Sequence, residues 1–274
     1  MRCRLSTLGR DKISHRPARW IEVSVTAGGH YRFLCEEPMT KVTIKPLRTA
    51  PDGRVPEVRA AYRLLRGAHG TVSGLFDAVT ILDDHRRSSN PNTKGRMTKD
   101  EIDIFRSAIV LASSGLDASM KRLVNDVARL LIGQPGSAAN AQYQQYLKQE
   151  IATHQVASGL RDAIVSDDPK ESLLSYYLAE RTKASFQGSG DLKTRVRNTL
   201  RLPKSAVPDA NVDNLDPFFV ARNQIVHDLD YREPLGTSTA RNHRSADAAA
   251  ELCDRVFMVA ADIAHAAADL VKAL

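Results

Sequence analysis

Apolar residues recur at helical spacing along most of this chain, from residue 55 to the C-terminus. A first run begins at Val55-Pro56 and continues to Leu82, and the polar stretch from His85 to Gly95 predicts a loop. Thr98 and Glu101 have the spacing of a capping box, and the helix that follows should reach Ile132, just before a helix-ending glycine and proline. This pattern predicts two long antiparallel helices.

The second half of the chain continues the helical pattern in shorter pieces. Asp216-Pro217 predicts a helix start, with Asp216 as the N-cap, and Ser245 predicts the cap of a long final helix. The Pro- and Asp-rich residues 202–214 predict a loop. Three helical patches fill the middle of the chain: 143–157, 172–183 and 192–200. The fold class expected is all-α, a helical bundle.

The first 54 residues have a different pattern. Residues 20–25 alternate as in a strand, Gly28-Gly29 can turn the chain into residues 31–34, and residues 41–44 could add a third strand. A small β-sheet is one interpretation, and an extended, poorly ordered leader is the other. We therefore expect a basic N-terminal segment, residues 1–54, and a helical domain, residues 55–274.

Charge separates the same two regions. The first 50 residues hold ten Lys/Arg and four acids, so six of the seven net positive charges lie there and the remainder is nearly neutral. Three scattered cysteines exclude a disulfide framework, and we recognise neither a zinc motif nor a signal peptide. The most apolar stretch, Val256 to Val271, is interrupted by charge, which argues against a membrane span. A cytoplasmic protein without a membrane, metal or cofactor is expected.

Arg222, Asn223 and His227 are the candidate site residues of the helix that begins near Asp216. The helix is otherwise apolar, with Phe218-Phe219 and Ile225-Val226, so we expect it to be deeply buried, where a charged side chain needs a partner. A guanidinium binds phosphate oxygens as a fork, and an imidazole transfers protons near neutral pH. These side chains suit phosphodiester chemistry, although a buried polar network without catalysis would use the same residues.

Asp117 is the fourth candidate. It interrupts an apolar seven-residue row, Val110, Val124 and Leu131, in the second long helix. A carboxylate in such a row requires a cation or several donors, and Arg222 is the partner expected. The alternative is a position at the rim of the helix where Asp117 reaches solvent.

The order of these features resembles the HEPN superfamily, and most closely its RiboL-PSP-like members among prokaryotic toxins and defence proteins. The resemblance covers roughly residues 55–274 and depends on two stretches, residues 105–118 of the second long helix and Ala221 to His227 of the motif helix. It implies an all-α bundle in which Arg222 and His227 match the family's Arg and His. Asn223 matches the polar residue after that Arg, and Asp117 the acid of the earlier helix.

The resemblance also implies a function. Many members are metal-independent endoribonucleases that work as homodimers with one shared cleft, so this chain is expected to cleave RNA through attack by the ribose 2′-hydroxyl, leaving a 2′,3′-cyclic phosphate. A toxin or antiviral defence role follows, with an antitoxin or another regulatory protein as a further partner. The alternative is a non-catalytic RNA-binding or adaptor module.

Helical geometry limits how Arg222 and His227 can work together. Five residues of an α-helix turn about 500°, which leaves these two side chains roughly 140° apart. Asn223 and His227, four residues apart, share a face. One site therefore combines Arg222 of one chain with His227 of another, or depends on the reach of the arginine.

The N-terminal segment offers a second RNA-binding hypothesis. Arg19 and Trp20, and likewise Tyr31 and Arg32, place basic and aromatic side chains next to one another. Such pairs bind single-stranded RNA through charge and base stacking. The favoured alternative is a solubilising tail, or a small sheet with Trp20 packed on the first helix.

Overall fold

A computed structural model describes residues 20–25, 29–34, 41–51, 53–89 and 97–274, with only the backbone of the first two segments. The chain divides into two compact units, residues 1–41 and 42–274. In the first unit, strands β1 (Trp20–Val25) and β2 (Gly29–Leu34) pair antiparallel, with Trp20 opposite Leu34 and Val25 opposite Gly29. Residues 41–44 have no regular secondary structure, so the third strand that the sequence predicts does not form.

The second unit is all-α, as the sequence predicts, and two long helices form its base. Helix α1 (Pro56–Ser89) extends past the predicted loop start at His85. Ion pairs within its last turns, from Arg86 and Arg87 to Asp83, support this extension. Helix α2 (Lys99–Leu123) begins with the predicted capping box, in which Thr98 N–H donates to Glu101 Oε2 at 2.8 Å and Glu101 N–H donates back to the Thr98 hydroxyl.

The chain beyond α2 is helical in longer and shorter pieces. A π-helical turn (Val124–Ala128) joins α2 directly to α3 (Arg129–Gly133), so the predicted long helix is continuous but contains one wide turn. A second π-helical turn, Leu192–Arg197, lies between α7 and α8. Among the described residues, no helix has the length and apolar character that crossing a membrane would require. The other helices are α4 (Ala138–Ile151), α5 (Ser158–Ile164), α6 (Pro169–Thr182), α7 (Ser189–Asp191), α8 (Asn198–Leu200), α9 (Asp209–Asp213), α10 (Asp216–Asp228) and α11 (Ala246–Lys272).

Helices α5 and α9 were not expected. Helix α5 lies beyond Ile151, where the predicted patch 143–157 breaks off, and α9 forms inside the predicted loop 202–214. Each spans one or two turns, too short for a periodic apolar pattern to show in the sequence.

Helices α1, α2 and α11 enclose the main core. The α1–α2 contact is close because Gly115 of α2 lies against Ala68 of α1, and the buried Ser119 hydroxyl donates to the Ala61 carbonyl at 3.0 Å. A Cβ atom added at Gly115 would lie 2.1 Å from the Ala68 Cβ. Small residues therefore determine how closely the two long helices approach.

Gly115→Ala is expected to destabilise the fold by about 1–3 kcal/mol, since the added methyl group cannot fit without moving a helix. Urea unfolding followed by circular dichroism measures this change. Gly74→Ala is the matched control. A Cβ atom added at Gly74, on the exposed side of α1, has no neighbour within 4 Å, so this substitution should stabilise the fold by up to about 1 kcal/mol. Adding Ala68→Gly to Gly115→Ala should recover part of the loss, and the explanation is wrong if it recovers none.

Residues 42–51 cross between α1 and α11 as an irregular strap. Nε2 of His69 lies 2.9 Å from the Lys45 carbonyl oxygen, and Nε2 of His265 lies 2.9 Å from that of Thr49. The Lys45 N–H donates to Asp254 Oδ1 at 2.8 Å. These three backbone polar groups of the strap are thereby paired with side chains of the two long helices.

Candidate functional site

Helix α10 carries the Arg222–His227 motif. Its N-cap is Leu215, which makes no side-chain cap, and the predicted cap Asp216 is already inside the first turn. Asp216 Oδ1 instead accepts a hydrogen bond of 3.3 Å from the Ser189 N–H. The prediction of Asp216 as the N-cap is therefore wrong by one residue, and its carboxylate connects the middle of the chain to the motif helix.

The prediction that this helix is deeply buried is also wrong. Phe218, Phe219 and Ala221 are buried, but Val226 is 42% exposed and Leu229 beyond the helix is 59% exposed. The buried residues follow one side of α10, which packs on α2 and α11. The buried residues lie in the first half of α10, and the apolar side chains near its end are exposed, a difference that periodicity alone does not show.

Arg222, Asn223 and His227 reach the surface of the second unit. Arg222 Nη1 donates to Asn223 Oδ1 at 2.9 Å, and both side chains are half-buried. The Nε atom of Arg222 is buried without a hydrogen-bond partner, and no carboxylate of the described residues forms an ion pair with Arg222. His227 is exposed in the last turn. The helix therefore presents an accessible imidazole and an arginine that no carboxylate in the described part of the chain neutralises.

Asp117 does not pair with Arg222. Its Oδ2 lies 2.8 Å from Lys121 Nζ, one turn further along α2, and its Oδ1 accepts a hydrogen bond of 3.0 Å from the Phe186 N–H. The Asp117 side chain is 22% exposed. The expected partner is wrong because Asp117 lies at the rim of α2, where a lysine of the same helix and a loop amide satisfy it.

A double-mutant cycle of Asp117→Ala and Arg222→Ala tests this geometry. The two substitutions should change the free energy of unfolding additively to within about 0.5 kcal/mol, because the side chains share no partner. The Asp117→Ala and Lys121→Ala cycle, measured by the same urea titration, should show coupling of about 0.3–0.5 kcal/mol, as expected for an i,i+4 pair. Coupling above about 1 kcal/mol between Asp117 and Arg222 would contradict the structure.

A buried polar network that sequence reasoning missed lies directly behind the motif. We call it the Asp230 network, formed by Asp230, Arg106, Arg244, Asn242 and Gln224. The Asp230 carboxylate is 0% exposed and accepts from Arg106 Nε at 2.7 Å, from Arg244 Nη2 at 2.6 Å and Nε at 3.1 Å, and from Asn242 Nδ2 at 3.1 Å. Arg244 Nη2 also donates to Gln224 Oε1 at 2.8 Å. The network joins α2, the end of α10 and the loop before α11.

The electrostatics of this network keep Asp230 charged. Burial by itself raises the pKa of Asp230, but hydrogen bonds from Arg244, Arg106 and Asn242 outweigh it, so the pKa lies below its usual value. A sequence signal for the network existed. Arg106 follows Phe105 in the apolar part of α2, and a charged residue in such a stretch requires a partner, as was argued for Asp117. The structure shows that Arg106 is almost fully buried.

The backbone at the end of α10 is unusual. Leu229 and Asp230 both have left-handed backbones, with φ of 48° and 62°. Arg241 Nε donates to the Leu229 carbonyl at 2.9 Å, and its Nη1 donates to Asp103 Oδ1 of α2 at 2.6 Å. Left-handed conformations cost energy in residues other than glycine, so these contacts must hold the turn in place.

The predicted RNA-binding residues of the N-terminal segment have no described side chains. Arg19 is outside the described residues; Trp20, Tyr31 and Arg32 lie in the hairpin, of which only the backbone is described, so the RNA-binding hypothesis for them stays a prediction. Two cavities of about 460 and 190 Å³ share Arg255 and Met258 of α11, and neither is lined by Arg222, Asn223 or His227.

Comparison with known proteins adds no family assignment. No family model, no curated protein and no solved structure matches this chain. Within the part of the chain that the structure describes, no group of three or more His, Cys, Asp or Glu side chains is arranged to hold a metal ion. The candidate site therefore depends on the residues of α10 and their surroundings alone.

Proposed function

We propose that this protein is a metal-independent endoribonuclease that uses Arg222 and His227. The observation that carries the proposal is the surface of α10, where Arg222, which has no carboxylate partner among the described residues, and the exposed His227 lie on one helix, within two turns. A guanidinium binds phosphate oxygens through its fork of N–H donors. An exposed imidazole can give or accept a proton near neutral pH.

In the proposed reaction, the 2′-hydroxyl of a ribose attacks the adjacent phosphorus and the bond to the 5′-oxygen breaks. His227 removes the proton of the 2′-hydroxyl or donates one to the departing 5′-oxygen. Arg222 stabilises the negative charge that develops on the phosphoryl oxygens. The products are a 2′,3′-cyclic phosphate and a 5′-hydroxyl. Asn223 holds Arg222 through its Oδ1 atom.

We infer that two chains supply one site. Arg222 and His227 lie roughly 140° apart around α10, and Arg222 is drawn towards Asn223. The same helix and the residue after it carry exposed apolar side chains: Val220 is 55% exposed, Val226 42% and Leu229 59%. Exposed apolar side chains near functional ones are typical of an interface between protein copies. A homodimer through the exposed part of α10 would bring Arg222 of one chain near His227 of the other.

Asp117 has no place in the chemical step of this proposal. Its carboxylate contacts Lys121 and Phe186, not the residues of the motif. We assign it the role of fastening the loop before α7 to α2.

The proposal is tested by incubating the protein with end-labelled single-stranded RNA in excess EDTA. We expect cleavage, with product ends that polynucleotide kinase can dephosphorylate and alkaline phosphatase alone cannot. RNA with a single 2′-deoxyribose at the cleaved position should resist, since it lacks the nucleophile. Cleavage that continues at that position would contradict the mechanism.

The alternative function is non-catalytic RNA binding. One observation favours it: among the described residues no hydrogen bond orients the His227 ring, whereas a general base is normally held by a partner. A gel-shift assay with the same RNA separates the two functions. A retarded but intact RNA would support the binding module and contradict the nuclease.

A further inference from the structure

We propose that the Asp230 network positions the His227 end of the motif helix, with Gln224 as the link between them. This proposal rests on the proposed function, because it describes how the nuclease site is held. The residues concerned are positioning residues, since none of them has a described contact with the His227 ring.

Gln224 connects the network to the motif in two ways. Its side-chain Oε1 accepts from Arg244 Nη2 at 2.8 Å, and its backbone carbonyl accepts from the Asp230 N–H at 2.8 Å. Gln224 lies between Asn223 and His227 in the sequence, one turn before His227. Any movement of Gln224 along the helix axis therefore moves both of these residues.

Asp230 connects the end of α10 to α2 and to the loop before α11. Its carboxylate binds Arg106 of α2 and Arg244 of the loop before α11, while its backbone pairs with Asn242, whose N–H donates to the Asp230 carbonyl at 2.8 Å. With Asp230 completely buried, the charge has no solvent to compensate a lost partner. The end of α10 is thus fixed to α2, which lies more than a hundred residues earlier in the sequence, and to the loop before α11.

This arrangement matches what a site on a helix end requires. Terminal helical turns fray, and a surface histidine in the last turn would move with them. Left-handed Leu229 and Asp230 reverse the chain immediately after the helix. The network therefore limits the positions that the His227 imidazole can take.

Gln224→Ala tests the proposal without removing buried charge. We expect kcat for RNA cleavage to fall about 10-fold to 100-fold with KM near the wild-type value, because misplacement of a catalytic group affects the chemical step. Gln224→Glu keeps an acceptor for Arg244 and should restore most of kcat. Gln144→Ala is the matched control: Gln144 donates to Asn140 on α4 and should have no effect.

A second measurement does not depend on cleavage. Nuclear magnetic resonance of the full chain should show faster amide exchange at residues 225–228 and shifted resonances of the His227 ring in Gln224→Ala, with neither change in Gln144→Ala. If exchange quickens but kcat stays at the wild-type value, the network is only structural and the proposal fails. If neither the amide exchange nor kcat changes, Gln224 does not hold the helix and the proposal fails. If wild type does not cleave RNA, the proposed function fails, and the exchange data alone decide whether the network holds the helix end.

Discussion

His227→Ala is expected to reduce the rate of RNA cleavage by about 100-fold to 10,000-fold, the loss typical of removing a general acid or base. The substitution should leave the free energy of unfolding within about 0.5 kcal/mol of wild type, because His227 is exposed. Initial rates with labelled RNA at several pH values measure the first effect, and urea unfolding measures the second. The activity loss is then chemical and not a result of unfolding.

His154→Ala provides the control, since His154 is an exposed histidine in the loop between α4 and α5. It should cleave at the wild-type rate. Arg222→Lys keeps the positive charge but removes the planar fork, so it should lose most of the activity as well. If His227→Ala cleaves RNA as fast as His154→Ala, His227 is not the proton-transfer group.

Asp230→Asn should destabilise the fold more than any of the other substitutions at or near the motif helix. It leaves the buried Arg106 and the half-buried Arg244 without their carboxylate, and breaking a buried ion pair in this way costs about 3–5 kcal/mol. A domain of this kind has about 5–15 kcal/mol of stability in total, so the variant should unfold at much lower urea concentrations. Equilibrium unfolding monitored by circular dichroism gives the difference.

The difference in the free energy of unfolding between wild type and Asp230→Asn should depend on pH in a defined direction. The pKa of Asp230 is lowered in the folded protein, so its stabilising effect is complete above the unfolded value of about 3.9 and declines as the pH falls through the folded value. Wild type should therefore lose its advantage over Asp230→Asn only below about pH 4. Asp213→Asn, at an exposed pair with Lys193, should cost about 1 kcal/mol or less at neutral pH. A comparable cost for both variants would contradict the importance of the network.

Local sequence signals located most helices correctly. The capping boxes and caps at Thr98 and Ser245 begin α2 and α11 where predicted, because a hydroxyl accepting from a nearby N–H is a short-range interaction. The end of α1 was missed for the opposite reason. Ion pairs of Arg86, including one to Glu101 of α2, support helix at His85 and beyond, although composition alone favours a loop.

At the candidate site, too, local features could be predicted from the sequence and contacts between distant elements could not. The motif residues were found because they lie within one helix, but their environment was not. Asp117 was matched with Arg222 although its contacts are Lys121 and Phe186. Asp230 was overlooked because Arg106 lies more than a hundred residues away in sequence, and Arg244 lies on a loop beyond the helix. Periodicity identifies an apolar helix, whereas only the tertiary structure shows which charge meets which partner.

The most direct test of the proposed nuclease is a mixture of two inactive variants. Arg222→Ala and His227→Ala should each fail to cleave RNA, and mixing them in equal amounts after subunit exchange should restore about a quarter of the wild-type rate. After exchange, half of the dimers contain one chain of each variant. Two-fold symmetry gives each of these dimers two sites, one with both Arg222 and His227 and one with neither. Wild type that cleaves RNA while the mixture stays inactive would contradict a site shared between chains, and wild type that does not cleave RNA would contradict the nuclease itself.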